Sequence, residues 1–137
     1  MSDVVITAGP FTLTARFEPA APLTCAAFRK LLPLQAHLLH VRWSGEAVWT
    51  PLGDLALSLP AENATSYPFP GELLFYPGGL SETEILIPYG RTSFASKAGQ
   101  LAGNHFLTIV SGAEHLSEIC RLTLWQGAQS IVMVATH

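Results

Sequence analysis

The stretch PGELLFYPGGLSETEILIPYG, residues 70–90, carries the main signal for the fold. It contains two short apolar runs, residues 73–76 and 84–87, and proline and glycine flank both runs. Runs of this length between turn residues are typical of buried β-strands, whereas a helix needs about ten residues without a breaker. We therefore predict two strands, the second ending at Pro88-Tyr89-Gly90.

The rest of the chain continues this pattern of short strands and adds two helices. Residues 23–32 have a helical period, with Thr24 as N-cap and Pro33 as the stop. Ser111-Gly112-Ala113-Glu114 matches a capping box and predicts a second helix behind it. Strands are predicted at residues 11–17, 39–43, 47–52, 106–110, 122–125 and 130–135, with a turn at 44–46.

Residues 91–104 follow no period and contain Gly99 and Gly103. The sequence therefore predicts a loop of about fourteen residues between two strands. Loops of this length in a compact domain are usually functional or disordered. We expect the functional surface to centre on this loop.

Length and charge limit the classes of function. The 137 residues match the size of one domain, so we predict a single domain over residues 1–137. The net charge is −3 and no cluster of Lys and Arg is present, which excludes nucleic acid as a partner. No apolar run approaches the roughly 20 residues that span a bilayer, so no membrane partner is predicted. The charged fraction of only 12% suits a homo-oligomer or a ligand cleft.

The N-terminal residues MSDVVIT lack the pattern of a secretory signal, so we expect a cytoplasmic protein. In that compartment Cys25 and Cys120 are expected to be buried free thiols. His37 and His40 lie on a predicted strand that points them to opposite faces, which disfavours a zinc site. No dinucleotide, haem or iron–sulfur pattern occurs, so neither a cofactor nor a metal is predicted.

Four blocks of the sequence resemble the small prokaryotic cyclophilin-like proteins of unknown function. The blocks are PGELLFYP at 70–77 with EILIPYG at 84–90, AGNHF at 102–106, LWQG at 124–127 and HVRWSGE at 40–46. The resemblance spans nearly the whole chain. It implies a mainly β fold, a closed eight-stranded cyclophilin-like β-barrel with two short helices and a cleft on its outer wall.

The resemblance implies less about activity, because fold does not determine function. The Phe-His-Arg and Gln-Gly-Gly-Asp patterns of active prolyl isomerases are absent, which leaves a vestigial isomerase as an alternative. Related barrels in urea and allophanate breakdown imply a second alternative, an enzyme acting on small amides or acids. A structural or accessory subunit of an oligomer is the third. We favour a protein that binds a small, anionic metabolite in a cleft beside the loop at 91–104.

The residues predicted to line that cleft have hydrogen-bonding tips and lie close to the loop or at the ends of strands. They are Tyr89, Arg91, Ser96, Asn104, His105 and Trp125, with Arg42 and Glu84 as second choices. The guanidinium of Arg91 can bind a carboxylate with two parallel hydrogen bonds, or it can pair with Glu84.

Two further features each have two interpretations, and a third is a weak candidate. His105 is a candidate general base, or a histidine that bonds the loop backbone. Glu82 and Glu84 are paired carboxylates suited to acid–base work, or a solvated strand edge. Ser96 and Lys97 are adjacent, but adjacency alone does not make a nucleophile pair.

Overall fold

The computed structural model describes residues 2–136, which form eleven β-strands of two to ten residues and two α-helices. The strands are β1 (Val4–Ala8), β2 (Phe11–Phe17), β3 (Leu34–His40), β4 (Gly45–Gly53), β5 (Ala64–Thr65), β6 (Glu72–Tyr76), β7 (Thr83–Thr92), β8 (Ala95–Ser96), β9 (Gly99–Gln100), β10 (Gly103–Ser111) and β11 (Gln129–Ala135). The helices are α1 (Pro22–Arg29) and α2 (Leu116–Gln126).

Eight of these strands close into an antiparallel barrel. They run in the order β2-β1-β11-β3-β4-β7-β6-β10, and β10 pairs with β2 again to complete the ring. The short β5 pairs with the start of β10, while β8 and β9 form a separate hairpin. The predicted closed eight-stranded barrel with two helices is confirmed.

Side-chain alternation divides the apolar residues into an inner and an outer cluster. On β7, Ile85 and Ile87 belong to the barrel interior, whereas Leu86 belongs to a smaller cluster on the outer wall. The same alternation holds on β6, where Phe75 points inward and Leu74 outward. The outer cluster is the surface on which the β8–β9 hairpin rests.

The two helices pack against opposite ends of the barrel interior. From α1, Phe28 makes edge-to-face contacts with Phe75 and Phe106, with ring centroids 6.4 and 5.0 Å apart. From α2, Leu116 and Ile119 border the space near Leu13 at the other end. None of the helices within residues 2–136 is long and apolar enough to cross a membrane.

The predicted helix boundaries need four corrections. Helix α1 ends at Arg29, and Thr24 is not its N-cap, because the Thr24 amide and hydroxyl both donate to the Glu62 carboxylate at 2.7 Å. The prediction of a capping box at 111–114 is wrong, because a 3-10 turn begins after Gly112 and no side chain caps it. The predicted strand at 122–125 is part of α2, whose buried positions Leu116, Ile119 and Thr123 keep the helical spacing.

Several predicted strands are longer in the structure. The strand predicted from residue 39 begins at Leu34, and the turn predicted at 44–46 lies at residues 41–44. Strand β7 does not end at Pro88-Tyr89-Gly90 but continues to Thr92, with a register shift between the Ala47–Pro88 pair and the Gly45–Thr92 pair. The first strand, β1, was not predicted.

The predicted loop at 91–104 is also wrong in its conformation. Its residues form the end of β7, the β8–β9 hairpin and the start of β10. Phe94 and Leu101 are buried in the outer cluster, and the Leu101 amide donates to the Phe94 carbonyl at 2.9 Å. These two apolar anchors order a segment in which no sequence period is visible.

Candidate functional site

An open cleft of about 840 Å³ lies on the outer wall of the barrel. Its floor is built from outward-facing residues such as Leu39 and Trp49, whose chain neighbours Leu38 and Val48 point into the core. The β8–β9 hairpin and the C-terminal end of α2 form its walls. We call this feature the outer-wall cleft.

One end of the outer-wall cleft carries two cations, Arg42 and Lys97. Arg42 lies in the turn between β3 and β4, and Lys97 lies at the tip of the β8–β9 hairpin. Ser44 joins these two segments, because its hydroxyl donates to the Ala95 carbonyl at 3.1 Å and accepts from the Ala95 amide at 3.0 Å. Neither cation forms an ion pair within residues 2–136. This cationic end can accept an anionic group.

The middle of the cleft is mainly apolar. Trp49 and Leu39 form the floor there, with Leu124 from α2 at the side. Trp43 extends the apolar surface beyond the cationic end. Trp43 is 57% exposed and Leu124 is 56% exposed. Such exposed apolar surface beside a cleft is typical of a binding groove.

The other end of the cleft is acidic. Glu84 is 6% exposed, Glu82 lies two residues before it, and both line the cleft. Burial, together with the charge of Glu82, raises the pKa of the Glu84 carboxyl to about 7. The Tyr76 hydroxyl accepts hydrogen bonds from the Leu80 amide at 3.0 Å and the Ser81 amide at 3.4 Å, which fixes the turn leading to these carboxyls.

Tyr89 contributes to the edge of the cleft through His40. The His40 Nδ1–H donates to the Val41 carbonyl at 2.8 Å, because a carbonyl oxygen can only accept. The Tyr89 hydroxyl, whose pKa is raised by burial, forms a hydrogen bond with Nε2 of the same ring at 2.8 Å. Of this pair, only His40 borders the cleft.

The structure brings together three of the eight residues predicted from the sequence. Arg42, Ser96 and Glu84 line the outer-wall cleft. The residues outside its lining are Tyr89, Arg91, Asn104, His105 and Trp125. Arg91 is exposed on β7, and Trp125 is 80% exposed next to the lining residue Leu124.

Asn104 uses its side-chain amide inside the chain. Its Oδ1 accepts from the Glu62 amide at 3.2 Å, and its Nδ2 donates to the Thr24 hydroxyl and the Pro60 carbonyl, both at 3.0 Å. The residue is 3% exposed. These contacts hold the loop before β5 against α1, which is a structural role.

His105 belongs to a hydrogen-bond chain on another part of the surface. The Thr108 hydroxyl donates its one proton to Glu18 Oε2 at 2.7 Å, so His105 Nε2 must donate to Thr108 at 2.8 Å. That nitrogen therefore carries a proton and cannot act as a base. The Asn63 side chain also donates to the His105 carbonyl at 2.9 Å.

The predicted site does not include Lys97, Trp49 or Glu82, although all three line the outer-wall cleft. Only the folded hairpin brings Lys97 to the same cleft as Arg42. A usable signal was present on β4, where the alternation that buries Val48 turns Trp49 outward.

Neither cysteine adds chemistry to the cleft. Cys25 and Cys120 are free and buried, as predicted. Burial raises the pKa of Cys25 to about 11 and that of Cys120 to about 12, so both stay protonated at neutral pH. Within residues 2–136, no three His, Cys, Asp or Glu side chains are grouped closely enough to hold a metal ion.

A family model described as "Protein of unknown function (DUF3830)" matches residues 4–135. The chain belongs to the DUF3830 family. This confirms the prediction of a family of unknown function, whereas the cyclophilin-like classification stays a prediction. No curated protein matches this DUF3830 chain.

The fold of this DUF3830 chain is similar to a solved structure titled "Structure of McbB in complex with tryptophan". The TM-score is 0.67 and the sequence identity is 16%, over 96% of this chain. The chain covers 44% of the length of McbB. At this identity the similarity shows the fold alone.

Proposed function

We propose that this protein binds a small metabolite with an apolar body and an anionic group in the outer-wall cleft. The observation that carries the proposal is the cleft itself, about 840 Å³ in volume, in which Arg42 and Lys97 stand beside an apolar floor. Clefts of roughly 300–1,000 Å³ are typical of small-molecule sites. Cations that no carboxylate of residues 2–136 neutralises favour an anionic group on the ligand.

The McbB structure supports the size and the chemical type proposed for the ligand of this protein. It contains tryptophan, a small molecule with an apolar ring system and a carboxylate. A protein whose fold is similar to this chain over 44% of its length therefore forms a complex with a small molecule of the kind proposed here.

Anilinonaphthalene sulfonate is a suitable probe because it joins apolar rings to an anion and becomes fluorescent in apolar surroundings. We expect saturable binding to the folded protein. Arg42→Ala and Lys97→Ala should each weaken binding about tenfold, the loss expected for one charge-assisted contact. Arg121→Ala is the matched control, since Arg121 is exposed and does not line the cleft. Equal affinity in all four proteins, or no saturable binding, would show the proposal to be wrong.

An enzyme that uses Glu84 as a general acid–base is the second candidate. The observation favouring it is a buried carboxyl with a pKa of about 7 beside a second carboxylate, an arrangement suited to proton transfer near neutral pH. Ammonia release from urea, allophanate and acetamide tests it. A rate above buffer that Glu84→Gln abolishes supports this candidate, and a rate equal to buffer removes it for these amides.

A further inference from the structure

The side chain of Glu84 is largely buried, its carboxyl has no hydrogen-bond partner within residues 2–136, and the carboxyl oxygens are open only to the cleft that they line. The residue is 6% exposed. Buried polar groups are normally paired, because an unpaired carboxyl is costly to remove from water. Glu84 lines the outer-wall cleft, so a ligand there can supply the partner.

The groups around Glu84 favour a cationic partner. Its neighbours across the sheet are Pro51 on β4 and Tyr76 on β6, and neither carries a charge. Glu82 adds a second carboxyl at the same end of the cleft. An ammonium group offers three donors and a positive charge, so it compensates both the burial and the repulsion.

Strand register separates this acidic end from the cationic end. Glu84 pairs with Pro51, whereas Thr92, which leads into the β8–β9 hairpin, pairs with Gly45 beside the Arg42 turn. Gly45 and Pro51 are six residues apart on β4, a distance of about 20 Å along an extended strand. Trp49 lies between the two ends.

We propose that the outer-wall cleft takes an elongated zwitterion, with its anion at Arg42 and Lys97 and a primary amino group bound by Glu84. The apolar middle of such a ligand would lie along Trp49. Short peptides have this form, and so do long-chain ω-amino acids, whose amino and carboxylate groups lie at opposite ends. A free α-amino acid carries both charges on one carbon and reaches one end only. This inference rests on the proposed function and goes beyond it by naming a second charged group and the ligand's shape.

A pair of rigid probes tests the inference. The first is biphenyl carboxylate with an aminomethyl group at the opposite para position, and the second carries a methyl group there instead. Both are titrated as competitors of anilinonaphthalene sulfonate at pH 8, where Glu84 is ionised. We expect the amine to bind at least about tenfold more tightly than the methyl compound.

Glu84→Gln should abolish this difference between the two probes. Glu118→Gln is the matched control, because Glu118 is exposed on α2 outside the cleft, and it should keep the full difference. Equal binding of the two probes to the unchanged protein would overturn the inference but leave the proposed function standing. Failure of both probes and of the dye would overturn both proposals.

Discussion

The Ser44 hydroxyl and the backbone of Ala95 exchange two hydrogen bonds, of 3.1 and 3.0 Å. Ser44 is buried, and its carbonyl accepts a third bond from the Ser93 amide at 3.0 Å. The β3–β4 turn and the β8–β9 hairpin are thereby held together. This contact places Arg42 and Lys97, more than fifty positions apart in the sequence, at one end of the same cleft.

Ser44→Ala should lower the free energy of unfolding by about 1–2 kcal/mol, because the Ala95 amide and carbonyl lose their partner. It should also weaken binding of anilinonaphthalene sulfonate, since the two cations are no longer held together. Urea unfolding and dye titration measure the two effects. Ser130→Ala, at an exposed position on β11, should change stability by less than about 0.5 kcal/mol. Equal stability of the two variants would contradict the role given to Ser44.

Glu84 should make stability depend on pH. The folded carboxyl has a pKa of about 7, against an ordinary value of 4.5, so the unfolded chain releases this proton first. Stability should therefore fall as pH rises from about 4.5 to 7 and change little above that. Glu84→Gln removes the ionisation and should be more stable at pH 8 by up to about 3 kcal/mol. Urea unfolding of both proteins at pH 5 and pH 8 checks this, and a Glu84→Gln variant that is less stable than the unchanged protein at pH 8 would contradict it.

Thr50→Val should stabilise the protein by about 1 kcal/mol, because an unpaired buried hydroxyl is replaced by a methyl group of similar size. Thr50 is fully buried, and its hydroxyl has no hydrogen-bond partner among the described residues. Thermal unfolding measures the change. Thr83→Val is the matched control and should destabilise, since the Thr83 hydroxyl donates to the Leu55 carbonyl at 2.6 Å. The opposite order of the two variants would refute the prediction.

Phe94→Ala should release the β8–β9 hairpin from the barrel. The Phe94 ring is 1% exposed and packs edge-to-face on Tyr76 with centroids 5.8 Å apart, so its loss costs about 3 kcal/mol. Trypsin cleavage after Lys97 should become much faster, as measured by mass spectrometry. Phe69→Ala removes a ring that is 74% exposed and should leave cleavage unchanged. If trypsin cleaves after Lys97 no faster in the Phe94→Ala variant than in the unchanged protein, other contacts hold the hairpin.

Asn104→Ala should lower the free energy of unfolding by about 2 kcal/mol, because the Glu62 amide and the Thr24 hydroxyl each lose a buried partner. Binding of anilinonaphthalene sulfonate by the folded variant should stay unchanged, since Asn104 does not line the cleft. Dye titration well below the midpoint of unfolding separates the two effects. Weaker binding there would return Asn104 to the site that its sequence position suggested.

Local sequence patterns predicted much of the barrel. The strand at 11–17 matches β2, and the runs at 73–76 and 84–87 lie within β6 and β7. The prediction failed where a local pattern had two readings. Leu124 and Trp125 favour a strand by composition, yet they continue α2 because Thr123 packs on the barrel at helical spacing.

The site was less predictable than the fold. Arg42, Ser96 and Glu84, which line the outer-wall cleft, were predicted because charged or polar tips stand out beside turns. Asn104 and His105 stood out for the same reason, and their hydrogen bonds run to Thr24 and Thr108 instead of to the cleft. A sequence shows which side chains can form hydrogen bonds, but not which partners satisfy them.

The sequence by itself determined the short β-strands, the two helical segments and the low charge, because these depend on local period and on turn residues. Only the tertiary structure decided which face of β7 carries Glu84 into the cleft and which residues stand opposite it. Barrel closure pairs segments far apart in the chain, and alternation then sends Ile85 inward and Glu84 outward. The burial that raises the Glu84 pKa arises from this packing, so it cannot be read from the neighbours in sequence.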